Sequence, residues 1–290
     1  MTTTNGNAIE VRDLSFAYDD IQAVDQVSFA VAPGEILGFL GPNGAGKSTT
    51  IKMLTGQLLP DSGSISVLGM TMPEQTLEIQ ARIGVCFEEK NLYENMSARE
   101  NLDFFARLYG IKGMDFDPYL RRVGLIDRAD DRVASFSKGM RQRLMMTRAM
   151  INSPDILFLD EPTDGLDPVS SQAVRNVIKA EADRGASVIL TTHDMHEADQ
   201  LSDRVAFINE GRIEALDTAE NLKLEHGQRT VRIRSKDGGQ VGEKVISLDE
   251  SDAGDQIRHA VSVDGLMTIH TEEATLEDIF IKLTGRELKA

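Results

Sequence analysis

A glycine-rich stretch, GPNGAGKST from Gly41 to Thr49, has the residue types and spacing that bind phosphate groups. It comes directly after the apolar run EILGFL and directly before TIKML, so it is expected to form a loop between a strand and a helix. Glycines let successive backbone N–H groups turn toward one anion, and the helix N-terminus adds a positive dipole end. We expect Lys47 to supply a positive charge to the β- and γ-phosphates, and the Ser48 hydroxyl to bind Mg²⁺. The candidate nucleotide-binding residues of this loop are Gly41, Pro42, Asn43, Gly44, Ala45, Gly46, Lys47, Ser48 and Thr49.

Three more chemically capable residues follow two apolar runs further along the chain. Asp160 ends the run ILFLD and Glu161 follows it, which places both carboxylates at the carboxyl edge of a sheet, where α/β proteins bind ligands. Asp160 suits Mg²⁺, through a water molecule, and Glu161 suits a general base for an attacking water. His193 follows SVILTT at the same edge and is expected to contact the γ-phosphate. Two acids at a strand end are more often solvent-exposed groups without a catalytic role, and a lone histidine is more often a hydrogen-bonded structural residue. The nearby phosphate loop favours a catalytic role for all three.

The segments that must position these residues alternate between strand and helix patterns. AIEVRDLSF and VSFAVAPGE alternate apolar and polar residues, which predicts half-buried antiparallel strands. From ILFLD onward, PVSSQAVRNVIKAEA, SVILTT and DMHEADQLS continue a strand–helix alternation that predicts a parallel sheet with covering helices. RVAFINEGRIEAL then predicts a hairpin with Glu210 and Gly211 in its turn.

A helical insert and a C-terminal extension complete the predicted organisation. Ser97 and Glu100 have the spacing of a capping box before NLDFFARLYG, and the helical insert is expected over about residues 88–150. Beyond residue 225, TVRIRS and LMTIHT predict strands separated by the loop KDGGQ, and TLEDIFIKLTG predicts a helix with Thr275 and Asp278 as its capping box. We therefore predict one domain over residues 1–225 and a small α/β domain over residues 226–290.

Composition excludes several other classes of protein. The 290 residues include 47 Asp and Glu against 31 Lys and Arg, a formal net charge of -16, which argues against a surface that coats nucleic acid. The single cysteine, Cys86, rules out an internal disulfide and is expected to be a small buried side chain. The sequence has neither a secretory signal pattern nor an apolar run long enough for a membrane helix. We expect a cytoplasmic protein that meets the membrane only through a partner.

The order of five elements resembles the nucleotide-binding subunit of ABC transporters, from residue 8 to about 225. These elements are Tyr18, GPNGAGKST, FSKGM, ILFLDEPTDGLDP and TTHD. The resemblance implies an α/β fold: a P-loop NTPase core with an antiparallel β subdomain, the helical insert and the small C-terminal α/β extension. It also implies ATP and Mg²⁺ as cofactors, and an ABC-type ATPase domain over residues 1–225. By this resemblance Tyr18 would stack on the adenine, although a strand aromatic could equally belong to the core.

The same resemblance assigns FSKGM to a site completed by a second copy of the chain. In this family two subunits pair head to tail, and each ATP lies between the phosphate loop of one and the signature sequence of the other. FSKGM stands where the family usually has Leu-Ser-Gly-Gly-Gln, so Ser137 and Gly139 are kept. These two residues would meet the γ-phosphate of the ATP bound to the partner. Lys138 and Met140 depart from the family pattern, and Asp167, in GLDP, belongs to the loop that lines the dimer interface.

A further departure falls at the start of the helical insert. Aligned through IGVCFEEKNLY, Glu88 stands where the family usually has a glutamine that touches Mg²⁺, with Glu89 as the alternative if the register shifts by one. A carboxylate can still bind Mg²⁺, so Glu88 is a candidate metal ligand beside Ser48 and Asp160. The alternative is that this acid bonds only to the backbone of its own loop.

The function implied by the resemblance is ATP hydrolysis that drives a membrane exporter. Two copies of the chain would close on two ATP molecules and act on separate integral membrane permease subunits, which keeps the protein peripheral to the inner face of the cell membrane. The segments TLEDIFIKLTGREL and ENLDFFARLYG are similar to the export subgroup. An ATPase adaptor in cell-envelope assembly, whose output is ATP binding, is the alternative. Soluble ABC ATPases of repair or translation typically need longer insertions or two ATPase units, which 290 residues do not hold.

Overall fold

The computed structural model describes residues 6–87, 91–227, 230–237, 240–262, 265–272 and 274–285, apart from the side chains of Asp237, Gln240 and Glu272. The chain divides into two compact units, one ending at Leu216 and the other beginning at Asp217. This division comes ahead of the boundary between residues 225 and 226 that the sequence analysis placed, and the domain assignment itself stays a prediction.

An antiparallel sheet of four strands begins the first unit. Its strands are β1 (Ile9–Tyr18), β2 (Ile21–Val31), β4 (Ser62–Val67) and β5 (Met70–Met72), in the order β2-β1-β4-β5. In β1 the apolar side chains of Ile9, Val11 and Leu14 are buried, whereas Arg12 and Asp13 between them are exposed. This alternation matches the sequence pattern, and it places one face of the sheet on the core. The prediction of antiparallel strands here is confirmed.

The central sheet has six strands, in the order β10-β9-β3-β8-β7-β6. They are β3 (Ile36–Leu40), β6 (Ile83–Cys86), β7 (Ile156–Asp160), β8 (Ser187–Thr192), β9 (Arg204–Asn209) and β10 (Arg212–Asp217). From β9 to β6 all neighbours are parallel. Every residue of β3, β7 and β8 is buried, because apolar clusters cover both faces of the sheet. The carboxyl ends of these three strands therefore meet at one edge of the sheet.

Seven α-helices of the first unit are described: α1 (Lys47–Leu54), α2 (Thr76–Gln80), α3 (Ala98–Leu108), α4 (Asp117–Arg122), α5 (Lys138–Ala149), α6 (Pro168–Asp183) and α7 (Met195–Leu201). The helices α3, α4 and α5 lie between β6 and β7, within the segment predicted as the helical insert. The capping box at Ser97 and Glu100 is confirmed, since each side chain accepts a hydrogen bond from the other residue's backbone N–H. Glu210 and Gly211 have positive φ values of 48° and 79°, as the predicted hairpin turn requires.

The second unit is a three-stranded sheet with three helices, in the part of the chain that the structure describes. Its elements are α8 (Ala219–His226), β11 (Thr230–Asp237), β12 (Gln240–Ser247), α9 (Ala253–Val261), β13 (Leu266–Glu272) and α10 (Leu276–Thr284). Strand β11 is central and antiparallel to both neighbours. A small core joins Val231, Ile233 and Ile246 to α9, and α10 packs against α8. The predicted capping box at Thr275 and Asp278 is confirmed.

Three elements of this unit were not predicted from the sequence: α8, β12 and α9. Of the side chains described in β12 only Ile246 is buried. A strand that buries so little need not alternate apolar and polar residues, so the sequence of β12 carries no strand pattern. Helix α9 follows Asp252, whose side chain makes no capping hydrogen bond. The predicted loop KDGGQ is also shorter than expected, because Lys236 and Asp237 continue β11 and Gln240 begins β12. Across the described ranges, the helices fall short of the length and hydropathy needed to cross a bilayer.

Candidate nucleotide site

The predicted phosphate loop connects β3 to α1. Gly46 caps α1 with φ 103°, in the left-handed region that glycine tolerates best. A Cβ atom at Gly46 would lie 2.4 Å from the carbonyl oxygen of Ala23, and one at Gly41 would lie 2.1 Å from that of Ile208. Both positions therefore need glycine, because the loop passes directly against neighbouring backbone. This close packing fixes the course of the loop and leaves the N-terminus of α1 open toward a ligand.

Lys47 is the first residue of α1, and its side chain is only 6% exposed. Its ammonium group donates a hydrogen bond to the Gly41 carbonyl oxygen at 2.6 Å and lies 3.5 Å from Oε1 of Glu161. A buried cation is costly unless it is paired, and here a carbonyl oxygen and a carboxylate provide that pairing. The phosphate loop and the predicted general base thus meet at one ammonium group.

The carboxylates predicted at the end of β7 lie at the sheet edge as expected. Asp160 is buried, and its Oδ1 accepts a hydrogen bond from Oγ1 of Thr191 on β8, its partner in the parallel register. Glu161 follows with φ 48°, and its backbone N–H donates to the Thr191 carbonyl oxygen at 3.1 Å. A non-glycine residue in this region is strained by about 1–3 kcal/mol and needs support from its surroundings. Strained backbone of this kind is common at sites that hold a side chain in a required position.

His193 completes this group of side chains. Its Nδ1 lies 2.9 Å from Oε2 of Glu161, so the Glu161 carboxylate stands between the imidazole on one side and the Lys47 ammonium on the other. The His193 side chain is 37% exposed, against 11% for Glu161. The imidazole is therefore accessible to a ligand while it contacts the carboxylate, the arrangement that a γ-phosphate contact needs.

A pocket of about 290 Å³ extends from this group along the phosphate loop. Tyr18 lies at its rim, half exposed, with its ring in edge contact with Phe16 at a centroid distance of 4.8 Å. Exposure at the pocket favours the adenine-stacking alternative for Tyr18 over a place in the core. The lining also includes Ile21, Gln22 and Ala23 from the start of β2, which the sequence analysis did not select. An alternating strand pattern indicates which side chains are buried, but it does not indicate that the residues next to a turn line a ligand pocket.

The signature residues form a second group with the loop before α6. Ser137 caps α5 and its hydroxyl accepts a hydrogen bond from the Met140 N–H at 3.2 Å. A Cβ at Gly139 would lie 2.6 Å from Oγ of Ser170, so only glycine allows α5 and α6 to approach this closely. Asp167 caps α6, and its pKa is lowered, chiefly by the hydrogen bond from the Ser170 side chain, so the carboxylate stays ionised.

The signature residues lie outside the pocket at the phosphate loop of their own chain. Ser137, Gly139 and Asp167 are absent from the lining of the pocket at the phosphate loop. Lys138 departs from the family pattern, and its ammonium group pairs with Asp164 at 3.3 Å, which ties α5 to the loop after Glu161. Met140, the other departure, packs against the apolar core. Glu88 and its alternative Glu89 lie outside the described residues.

Two threonine hydroxyl groups and one carboxylate behind the site were also not predicted. Thr163 donates a hydrogen bond from Oγ1 to Oε1 of Glu197 at 2.6 Å, and Thr191 holds Asp160. Thr163 and Thr191 stand inside the quoted segments ILFLDEPTDGLDP and TTHD, but their hydrogen-bond partners are defined by which strand or helix lies beside them in space. Thr191 could have been found from the register of two adjacent parallel strands that end at the same edge.

These observations define a nucleotide-binding α/β ATPase with a phosphate loop, two carboxylates and a histidine at one sheet edge. The family profile described as "ABC transporter" matches residues 24–164. The "Fluoroquinolones export ATP-binding protein" of Mycobacterium tuberculosis is 44% identical over 284 residues, 97% of this chain and 94% of that protein. The "Nod factor export ATP-binding protein I" of Burkholderia thailandensis is 38% identical over 299 residues, 97% of this chain and 98% of that protein. A solved "Structure of ATP binding subunit of ABC transporter" has a TM-score of 0.70 and 32% identity, covering 75% of this chain and 92% of that one.

The chain belongs to the ABC transporter family. It is the ATP-binding subunit of a transporter, an ATPase whose hydrolysis is coupled to transport, and the predictions of fold class and family are confirmed. Cassettes of this family bind ATP or ADP, form dimers and work with membrane subunits.

Proposed function

We propose that this chain powers an exporter: two copies close head to tail on two ATP molecules, and the closure acts on separate integral membrane permease subunits. The observation that carries the proposal is the Glu161 carboxylate, held between the Lys47 ammonium at 3.5 Å and the His193 imidazole at 2.9 Å. The export direction is supported by the names of the two relatives, each covered almost end to end. The adaptor alternative is not favoured, because both relatives are described as export proteins.

The residues present fit Mg²⁺, the ion that the family implies. Ser48 lines the pocket and carries a hydroxyl, and Asp160 places a carboxylate at the carboxyl end of β7, so both offer the hard oxygen ligands that Mg²⁺ prefers. Groups of three or more His, Cys, Asp or Glu that could form a metal cage do not occur among the described residues. This suits an ion that takes its other ligands from phosphates and water. When bound, Mg²⁺ would neutralise the developing negative charge on the phosphates. Glu88 remains a proposed third ligand.

Hydrolysis would then proceed through the groups of this chain. The backbone N–H groups of the loop and Lys47 bind the β- and γ-phosphates, which fixes the phosphorus atom at the N-terminus of α1. Glu161 accepts a proton from the water that attacks the γ-phosphate, and its carboxylate faces that position because the backbone turns at φ 48°. His193 would contact the γ-phosphate, while its Nδ1 keeps the Glu161 carboxylate aligned from the other side. Tyr18 would hold the adenine at the far end of the pocket.

The head-to-tail dimer is supported by the separation of the two groups of site residues within one chain. Ser137 and Gly139 begin α5, which offers free backbone N–H groups and a positive dipole end but does not line the chain's own pocket. A second copy could bring this helix end to the γ-phosphate. Asp167 caps the neighbouring helix and would lie at the contact between the two copies.

The permease is proposed to dock in an open groove of about 640 Å³ beside the helical insert. Its lining joins the end of α1 and α2 to β6 and the end of α3, and includes Phe87, the last described residue before Glu88. Leu77, Leu108 and Tyr109 are exposed there, an apolar surface without a partner in the described chain. A cytoplasmic segment of the permease would cover these side chains, and movement of the insert would carry the state of the nucleotide site to it.

Co-purification tests this function most directly. The tagged chain is purified in mild detergent from its own cells together with any membrane protein that associates with it. ATP hydrolysis by the complex is measured in liposomes, with Lys47→Ala as the inactive control. We expect the complex to hydrolyse ATP and to move a cargo out of the compartment that contains the nucleotide site. Failure of any membrane protein to associate with the chain, or cargo movement that persists in Lys47→Ala, would contradict the proposal.

A further inference from the structure

A buried carboxylate behind the site has no role in the chemistry described so far. Glu197 lies in α7 and is 1% exposed, and its Oε1 accepts a hydrogen bond from Oγ1 of Thr163 at 2.6 Å. Burial raises the pKa of Glu197, whereas the hydroxyl groups of Thr163 and Thr192 act in the opposite direction. Among the described residues Glu197 forms no ion pair within 4.0 Å. An acid buried without a countercharge costs stability, so stability alone is a poor explanation for its presence.

The hydrogen bond joins the two segments that carry the reacting side chains. Thr163 follows Glu161 by two residues, and α7 begins two residues after His193. Asp194 caps α7 through its Oδ1, which accepts the backbone N–H of Glu197 at 3.0 Å. The side chain of Glu197 therefore reaches the segment of the base, while its backbone is fixed to the segment of the histidine.

Glu161 is the residue that such a connection would hold. Its φ of 48° is unfavourable for a side chain with a Cβ, so the turn relaxes unless both of its ends are restrained. On the N-terminal side the restraint is the hydrogen bond from the Glu161 N–H to the Thr191 carbonyl oxygen at 3.1 Å. On the C-terminal side, Thr163 is held by Glu197.

We propose that Glu197 is a positioning residue for hydrolysis: through the Thr163 hydroxyl it keeps the Glu161 carboxylate at His193. This inference rests on the proposed role of Glu161 as the general base. Without the hydrogen bond, the turn at Glu161 relaxes and the carboxylate leaves the position from which it accepts the proton of the attacking water. The phosphate loop and Lys47 are untouched, so ATP still binds.

The chain offers a matched control in Glu181 of α6. This glutamate is also buried, at 3% exposed, but its carboxylate pairs with the guanidinium groups of Arg122 and Arg184. It is absent from the lining of the nucleotide pocket. Replacing Glu181 removes a buried carboxylate with its ion pairs, and so reports what a purely structural loss does to the ATPase.

The test measures kcat and KM for ATP, together with the denaturation midpoint, in the full-length chain. Glu197→Ala and Thr163→Val are each expected to lower kcat roughly 10–100-fold, the usual scale for removing a group that orients a functional residue, with KM nearly unchanged. The double variant should lose no more than the larger single loss, because both changes break one hydrogen bond. Thr163→Ser and Glu197→Gln keep the donor and the acceptor and should retain most of the activity. Glu181→Gln should lower the denaturation midpoint and leave kcat unchanged.

Additive losses in the double variant, or the same loss of kcat in Glu181→Gln, would overturn the positioning role. Thr163→Val keeps the shape of the side chain, so it decides the question even if Glu197→Ala fails to fold. Glu161→Gln separates this inference from the function on which it rests. If Glu161→Gln is inactive while Glu197→Ala and Thr163→Val turn over at the wild-type rate, only the role of Glu197 is wrong. If Glu161→Gln keeps wild-type turnover, the proposed base is wrong.

Discussion

The Glu161 carboxylate has the Lys47 ammonium on one side and the His193 imidazole on the other, and these two contacts fix its orientation. Lys47 lies at one carboxylate oxygen and His193 at the other. A base held in this way loses little entropy when the water molecule arrives, because its orientation is already fixed. The same contacts keep it next to the phosphate loop rather than in solvent.

Replacing Glu161 with Gln removes the proton acceptor and preserves the shape of the side chain. We expect kcat for ATP hydrolysis to fall by ~10²–10⁴-fold, the scale of a lost acid–base group. ATP binding should persist, since the loop and Lys47 are unchanged, and a stable ATP-bound dimer should accumulate. Steady-state hydrolysis, equilibrium ATP binding and light scattering measure these three effects. Turnover at the wild-type rate in this variant would remove Glu161 from the role of base.

Cys86 is fully buried at the end of β6, and burial raises the pKa of its thiol to about 12. At pH 8.5 the folded chain should carry roughly 1,000-fold fewer thiolates than the unfolded chain, so alkylation by iodoacetamide should be slower by a similar factor. The unfolded thiol loses its proton above about pH 9 while the folded one keeps it, so this group costs stability as the pH rises from 9 toward 12. Labelling with and without denaturant measures the difference directly. Equal labelling rates would show that the thiol is accessible.

The reacting residues were predictable because each follows an apolar run that could only be a buried strand. Asp160, Glu161 and His193 are at strand ends in the structure as in the sequence pattern. The left-handed backbone of Glu161 was not predictable, because it results from hydrogen bonds to a neighbouring strand. Glu197 was missed for a related reason: a glutamate on a short helix looks exposed until the segment packed against it is known.

At the scale of elements, α3 depends on its first turn. The Ser97 hydroxyl accepts the Glu100 N–H at 3.1 Å, and the Glu100 carboxylate accepts the Ser97 N–H at 2.7 Å. Ser97→Ala removes one of these bonds and should lower the free energy of unfolding by about 1 kcal/mol. Urea denaturation measures this change. Ser251→Ala, at an exposed position outside the helices, is the control and should stay within about 0.5 kcal/mol of the wild type. A loss no larger than that of the control would mean that this cap does not stabilise the helix.

Elements were predictable in proportion to how much apolar surface they bury. The strands β3, β7 and β8 are buried throughout and appear in the sequence as continuous apolar runs. Strand β12 and helix α9 bury little, so pairing with β11 and packing on a small core determine them rather than local pattern. In the second unit the sequence predicted only two strands and one helix, which are β11, β13 and α10 in the structure.

For the whole molecule, the decisive feature is that the phosphate loop and the signature helix occupy separate places on one chain. In the proposed dimer, Lys47→Ala disables a chain's own loop, whereas Ser137→Arg disables the site of its partner. Homogeneous preparations of either variant should hydrolyse ATP at less than about a hundredth of the wild-type rate, consistent with loss of an essential phosphate contact. A tethered dimer with Lys47→Ala on one chain and Ser137→Arg on the other retains one intact composite site. Residual hydrolysis by that dimer, absent when both changes are on the same chain, is the expected result. Full activity of homogeneous Ser137→Arg would contradict the shared site.

That separation also makes the rate of ATP hydrolysis per chain depend on the concentration of the protein. If no molecule holds a complete site, the rate per chain in dilute solution should grow in proportion to total protein and level off only when pairs predominate. Each chain carries a formal net charge of -16, so two copies repel and added salt should move this rise to lower protein concentration. A dilution series at two ionic strengths measures both effects. In a cell that makes this subunit in excess of its membrane partner, free dimers would hydrolyse ATP without transporting anything. A low affinity between free copies would keep such dimers rare.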